Sequence, residues 1–416
     1  MGKLDNMKFT LDKIPRGTIY HKIIESVGYF MASFFMPLDD HHEIEKFEGK
    51  FAEYCDRKYC VAFPFARTAI YFTLKNLNLP SGSEVILPPV TIKGIVDVIL
   101  ALDLVPVYVD WDIDTLNFQL DDLHRKTSTK TKAVIITTLF GLVPDMKVLV
   151  DFFRDKGIFI IEDFSQCLNG SFDGKRVGTF GDVGIYSCSS IKTLDTLGGG
   201  LAITSDTAMY EALKKSQASL SPADRKFLIK KAWVNLVRNV ATTRLVFSLA
   251  VFPLLQIMRR FNPEATLKQT GSRNKDRLPT LPKVWFSSYS SFQAKIGLAH
   301  IDGVSASDQI RIDNANFLKA RCDSDKFPKT TKSSANVYWQ LVMVQDPKKA
   351  QEVFARHGID TATTSLELVS ALEKYPNKTV TPVAEKIYHN GIFLPCFPGL
   401  SKADLERIVN ATNQLI

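Results

Sequence analysis

Apolar residues recur along this chain in two rhythms. Residues 17–36, GTIYHKIIESVGYFMASFFM, set them at helical spacing and predict an entry helix too polar to span a membrane. EIEKFEGKFAEYCDRKYCVAF predicts an amphipathic helix running into a short strand that ends near Phe63, and PFARTAIYFTLKNLNL predicts a loop and a second helix. Two strand–helix–strand units follow, SEVILPPVTIKGIVDVILALDLVPVYVDWD and TKAVIITTLFGLVPDMKVLVDFFRDKG. Short continuous apolar runs alternating with helical patterns indicate a parallel sheet covered by helices on both faces. Ile158 to Ile161 and Val183 to Cys188 read as two further strands, residues 207–224 as a helix and a polar break, ANVYWQLVMV as a strand, and the ending as a helix capped by Ser401. Gly198-Gly199-Gly200 reads as a plain turn between strands.

The fold class predicted is α/β: a three-layer α/β/α large domain with a mainly parallel sheet, plus a small α+β C-terminal domain. The divisions expected are an N-terminal docking segment (1–45), the large domain (46–224), an insertion (225–280) and the small domain (281–416). With 45% hydrophobic and 23% charged residues the chain is globular, neither disordered nor fibrous. Its six cysteines form no CxxC pair, which predicts reduced, mostly buried thiols and no metal site. MGKLDNMKFTLDKIPRG carries no apolar signal core, so a cytoplasmic location is expected.

Charge changes this picture at one place. Between Arg225 and Arg277 stand twelve Lys or Arg against Glu264 and Asp276, a local +10 in a chain whose net charge is +8, so the remainder is −2. Within that segment Leu245 to Leu255 is an apolar run too short to cross a bilayer but long enough to bury in its interface. The segment is expected to give a peripheral contact with the inner face of the membrane, Phe247 and Phe252 included, or else to pack as a basic helical pair on the small domain or the dimer partner. A nucleic-acid partner is disfavoured, because Leu, Val and Phe interleave the basic residues and no binding motif is present.

Candidate chemistry gathers at strand ends. Asp163 closes the strand Ile158 to Ile161, Ser187 closes the next, and Lys192 follows in the loop. Ligands of open α/β sheets bind outside the carboxyl ends of the strands. Taken singly, a strand-end Asp is often a helix cap and a loop Lys a solvated charge; their joint order and spacing favour a site. A carboxylate and an amine converging on one crevice suit pyridoxal 5'-phosphate, with Asp163 keeping the pyridine nitrogen protonated and Lys192 forming the Schiff base and then shuttling a proton. Neither the dinucleotide fingerprint GxGxxG at a strand–helix turn nor the P-loop is present.

Glu162-Asp163-Phe164-Ser165-Gln166 and Ser187 to Lys192 resemble the strand-end motifs of the DegT/DnrJ-type nucleotide-sugar aminotransferases, fold type I pyridoxal phosphate enzymes. The likeness runs from about Glu43 through Asp206, resumes from about Tyr289 to the end, and fails between. It implies Lys192 and Asp163 as catalytic residues, Gln166 on the phenolic-oxygen side of the cofactor, and Ser187, Thr68 and Arg67 around its phosphate, at the first turn of a helix. It implies a homodimer that transfers an amino group from an amino acid such as glutamate to a keto sugar, carried on a nucleotide or a lipid, in cell-surface polysaccharide or natural-product biosynthesis. Related sugar dehydratases lack the lysine, so Lys192 favours transamination. Three positions depart from the family pattern: Arg67 replaces a glycine, Ile92 an aromatic that stacks on the cofactor ring, and Phe286 an asparagine that reaches the partner subunit's phosphate. These departures keep open a catalytically degenerate regulator or scaffold on the same fold.

Overall fold

The computed structural model describes residues 11–267 and 276–415. Seven strands make the central sheet: β1 (Tyr59–Phe63), β2 (Glu84–Leu87), β3 (Val105–Tyr108), β4 (Thr131–Thr137), β5 (Phe159–Asp163), β6 (Val183–Ser187) and β7 (Gly200–Thr204). Their order is β1-β7-β6-β5-β4-β2-β3; β7 runs against both neighbours and every other pairing is parallel. Alternate side chains of one strand point to opposite faces of a sheet, and here both faces are dry. Cys60 and Ala62 of β1, Val134 and Ile136 of β4 and Ile160 of β5 enter one core with Phe47, Phe51 and Phe153. Val61, Phe63, Ala133, Ile135 and Ile161 enter the other with Ile70, Val96 and Ile99. This is why the strands read as unbroken apolar runs.

Three helices bear on the site: α1 (Ile23–Ala32), α2 (His41–Tyr54) and α3 (Ala66–Asn76). In α2, Ile44, Phe47 and Phe51 fall on one face and are buried. A further core surrounds the antiparallel pair Leu341–Val344 and Gly391–Leu394, with Phe354, Leu405 and Ile408. The closing helix Lys402–Asn413 has the expected Ser401 cap, reciprocated by Asp404. Ile14 is strapped to this part by paired backbone bonds, its N–H to Gly358 O and its carbonyl from Asp360 N, each 2.9 Å.

Two stretches differ from the sequence expectation. In ANVYWQLVMV the strand is broken: Ala335 ends a short strand with Ser334, Leu341–Val344 forms another, and the half between them is not strand. Asn336 Oδ1 accepts from Val143 N at 2.8 Å and Val337 N donates to Gly141 O at 2.9 Å, so that half is clamped to a loop and turns with Tyr338 at φ 52°. The triglycine is more than a turn. Gly200 starts β7 in contact with the first turn of α3, where a Cβ would lie 2.1 Å from Ala66 N and 2.2 Å from the Phe65 carbonyl carbon.

The insertion is helical: Arg225–Ala241, then a helical run from Arg244 through a π turn at Phe247–Val251 into Phe252–Phe261, bent by 68° from the first helix. Phe247 and Phe252, expected at a lipid surface, are buried against one another instead.

The contact at Gly200 is backbone on backbone, so neither side can yield by a rotamer change. Gly200→Ala is expected to cost about 1–3 kcal/mol or more, seen as a lower urea midpoint. Gly49→Ala, inside α2 with open space around it, is expected to hold or raise the midpoint by up to about 1 kcal/mol.

Candidate active site

Adjacent residues on β5 point to opposite faces, and the acid pair there divides accordingly. Glu162 is structural: its carboxylate accepts from Gly178 N at 2.8 Å and Gly181 N at 2.5 Å, fixing the loop before β6. Asp163 ends the strand, is 8% exposed, and takes Ser165 N at 3.1 Å on one oxygen. Burial pushes its carboxyl above the usual range, while the Ser165 bonds and the Lys192 charge pull it back.

Lys192 lies in the loop between β6 and β7, 6% exposed. Its amine is 3.7 Å from the ring centroid of Trp339, whose indole N–H donates to Ile191 O at 3.0 Å. It makes no ion pair within 4 Å among the described residues. Desolvation therefore lowers its pKa to about 7, with Asp163 opposing the shift through space. A loop lysine has become an amine that is half neutral near pH 7.

The remaining residues named from the sequence come from the turn after β5, the end of β6, the first turn of α3 and the segments around Ile92 and Phe286. Gln166 is buried; its side-chain oxygen accepts from Phe140 N at 2.6 Å, and its amide N–H groups have no acceptor among the described residues. Ser187 ends β6 directly across from Gly200, and so beside the first turn of α3. Thr68 is buried on that turn, but its hydroxyl donates to Trp285 O at 2.7 Å. Arg67 lies with its guanidinium carbon 4.6 Å from the Trp285 ring centroid and 5.3 Å from that of Phe65. Gly94 makes room for it, since a Cβ there would come within 2.8 Å of Arg67 Nη1. Burial lowers the Arg67 pKa to about 10, against the pull of Asp97 and Glu367. Ile92 is 42% exposed at the N-cap of the helix Lys93–Leu100, and Phe286 packs edge-on against Tyr71 and Phe72.

The sequence profile of the DegT/DnrJ/EryC1/StrS aminotransferase family matches residues 32–232 and 267–413. The chain belongs to that family. It is 24% identical over 376 residues to the GDP-perosamine synthase of Escherichia coli O157:H7, covering 89% of each chain. It is 25% identical over 401 residues to the dTDP-3-amino-3,6-dideoxy-alpha-D-galactopyranose transaminase of Aneurinibacillus thermoaerophilus, 95% of this chain and 93% of that one. A sugar aminotransferase of Streptococcus pneumoniae, solved in its PLP form, shares the fold with a TM-score of 0.71 at 18% identity over 97% of this chain and 98% of that one. The DegT/DnrJ/EryC1/StrS enzymes are pyridoxal phosphate aminotransferases, and no observation here favours the degenerate scaffold.

Two features escaped the sequence reading. Trp339 sat in a stretch read as strand, and only the clamp on Asn336 and Val337 turns it onto Lys192. Asp195, three residues beyond Lys192, is 1% exposed; it takes Leu197 N at 2.7 Å on one oxygen and Asn235 Nδ2 of the inserted helix at 2.7 Å on the other. A buried acid in that loop gave no signal without the partner forty positions away.

An amine captures an aldehyde in its neutral form, and in cofactor-free protein that form of Lys192 is populated as pH rises through about 7. The rate of adduct formation with pyridoxal phosphate, followed by absorbance, is expected to climb across that pH. Asp163→Asn removes the charge that holds the pKa up, so its midpoint is expected to lie lower. A midpoint near the ordinary lysine value of 10.5 is the contrary result.

Proposed function

We propose that this chain transfers an amino group from an amino acid, with glutamate as donor, to a keto sugar carried on a nucleotide or a lipid, using pyridoxal 5'-phosphate. The observation that carries the reading is Lys192, a desolvated amine facing a buried strand-end carboxylate, in a chain of this family. The residues fit the cofactor. Lys192 offers a nucleophile without an ion-pair partner, Asp163 a carboxylate with one uncommitted oxygen, Gln166 two unused N–H donors, and the first turn of α3 free backbone N–H groups beside Ser187 and Arg67. When bound, pyridoxal phosphate supplies an aldehyde for an amine to attack and a ring that accepts electrons while its nitrogen is protonated. Asp163 holds that proton on the ring nitrogen, and a cation placed there lowers the acid's own raised pKa. Lys192 Nζ carries the proton between donor and acceptor carbons, which its pKa near neutrality suits. Trp339 keeps water from the amine.

The same proposal includes a homodimer at the cytoplasmic face of a membrane. No single helix among the described residues is long and apolar enough to cross a bilayer. The run Arg244–Phe261 nevertheless exposes Leu245, Leu249, Leu254, Ile257, Met258 and Phe261, with Arg260 exposed on the same run and Lys226 and Lys230 exposed on the other helix of the insertion. Apolar side chains rimmed by cations suit an anionic lipid interface.

Labelled glutamate and a panel of nucleotide-linked keto sugars test the reaction: the label is expected in the amino sugar, and Lys192→Ala is expected to lose both turnover and the visible band of the bound cofactor while keeping its fold. A Lys192→Ala protein that retains that band assigns the role to another lysine. For the membrane, sedimentation with anionic vesicles at low salt is expected, with release at high salt and weaker binding for Leu254→Ser and Phe261→Ser, both exposed. Protein that stays in the supernatant overturns the membrane contact, and loss of self-association in those two variants gives these side chains to a second copy of the chain.

A further inference from the structure

The inserted helix Arg225–Ala241 turns Leu228, Ala232, Asn235 and Asn239 inward, all buried. Lys231 lies on that face, one turn before Asn235. The helix cannot roll freely about its axis, because Asn235 Nδ2 is bonded to Asp195, Ser26 Oγ donates to Asn235 Oδ1 at 3.0 Å, and Asn239 Nδ2 donates to His21 O at 2.7 Å. Lys231 Nζ therefore has a defined place, 5.1 Å from the ring centroid of Phe227. Phe227 meets Phe65 edge-on at 5.6 Å, and Phe65 is the N-cap of α3, with Arg67 on its ring. Two cations thus flank one aromatic pair at the start of one helix. Neither is ion-paired within 4 Å among the described residues, and no acceptor there takes the N–H of Ala66 or Arg67.

Gathering like charges in a half-buried place raises the free energy of the empty site. The cost is visible in Lys231, whose pKa is lowered by burial first and by the Arg67 charge next, with Asp195 opposing. An anion bound within reach of both reduces that repulsion, a doubly charged phosphate monoester more than a singly charged one.

We propose that Lys231, from the inserted helix, is a second cation at the cofactor's phosphate, acting with Arg67 and the first turn of α3. The inference rests on the pyridoxal phosphate reading above. It makes the insertion part of the binding site: the helix that carries Lys231 is held by Asp195, in the loop that carries Lys192.

A phosphate in this fold comes either from the cofactor or from a nucleotide-linked sugar, and the experiment separates them. Cofactor-free protein is titrated with pyridoxal 5'-phosphate and with pyridoxal, which has the same aldehyde and ring but no phosphate, following absorbance and intrinsic fluorescence. Lys231→Ala is expected to weaken pyridoxal phosphate by about tenfold or more and to leave pyridoxal unchanged. Arg67→Ala is expected to do the same, and Lys231→Arg to recover most of the loss. Equal weakening of both ligands, or of neither, overturns the proposal. So does an unchanged cofactor affinity with a raised KM for the nucleotide-linked sugar, which gives Lys231 to the substrate's phosphate. If the wild-type protein binds neither ligand, the pyridoxal phosphate reading itself has failed.

Discussion

Taking an ammonium group out of water costs several kcal/mol unless it is paired or gives up its proton. Lys192 is buried, and its near neighbours are an indole ring and a carboxylate that acts only through space. That constraint explains the arrangement around it. β5 and β6 end side by side, so Asp163 and the loop that follows Ser187 come from neighbouring parallel strands. The acid sits near enough to bias the amine and is not bonded to it. A direct ion pair would hold the proton on Lys192 and keep its amine charged. The clamp on Asn336 and Val337 then lays Trp339 over the amine and completes the dry environment.

The loop that presents Lys192 is fixed from its far side by the inserted helix. Asp195 is buried as a carboxylate-bearing residue with a backbone donor on one oxygen and Asn235 on the other, and its carbonyl lies 2.9 Å from His21 Nε2. A buried acid satisfied this way is costly to disturb, because removing one donor leaves charge unpaired. The entry segment, the insertion and the Lys192 loop therefore share one polar junction inside an otherwise apolar setting. This explains how a segment outside the family pattern, 233–266, is accommodated without displacing the strand ends.

The sheet was legible because strands buried on both faces leave continuous apolar runs between turn residues, as in β4 and β5. Asp163, Ser187 and Lys192 were legible because a strand end and a short loop keep their spacing in sequence. What was not legible depends on distant contacts. Trp339 is turned by the bonds of Asn336 to residue 143, 193 positions earlier, and of Val337 to residue 141. The Thr68 hydroxyl is spent on Trp285. Phe286 belongs to a core with Tyr71 and Phe72, so an apolar residue at that position reflects packing on α3. Gly94, inside a helix, leaves the space into which Arg67 folds, a contact between residues of two different helices.

The charge of the insertion shows the same limit most clearly. Counted along the chain, it is a block of cations free to meet an anionic surface. In the fold, Arg244 is paired with Asp404, Arg259 with Asp360 at 2.6 Å, and Arg225 donates to the carbonyls of Ser33 and Met36 at 3.0 and 2.9 Å. Each of these side chains ties the insertion to another part of the molecule, and a guanidinium held by a buried carboxylate contributes little field outside. Any long-range attraction to an anionic surface thus falls to fewer residues, with Lys226, Lys230 and Arg260 exposed on the helices. With the electrostatic share reduced, the exposed apolar residues from Leu245 to Phe261 have to supply the larger part of any interfacial binding, at roughly 25 cal/mol for each Å² of apolar surface buried. Net charge in a sequence sets an upper limit on such attraction, and the internal ion pairs of the fold decide how much of it reaches the surface.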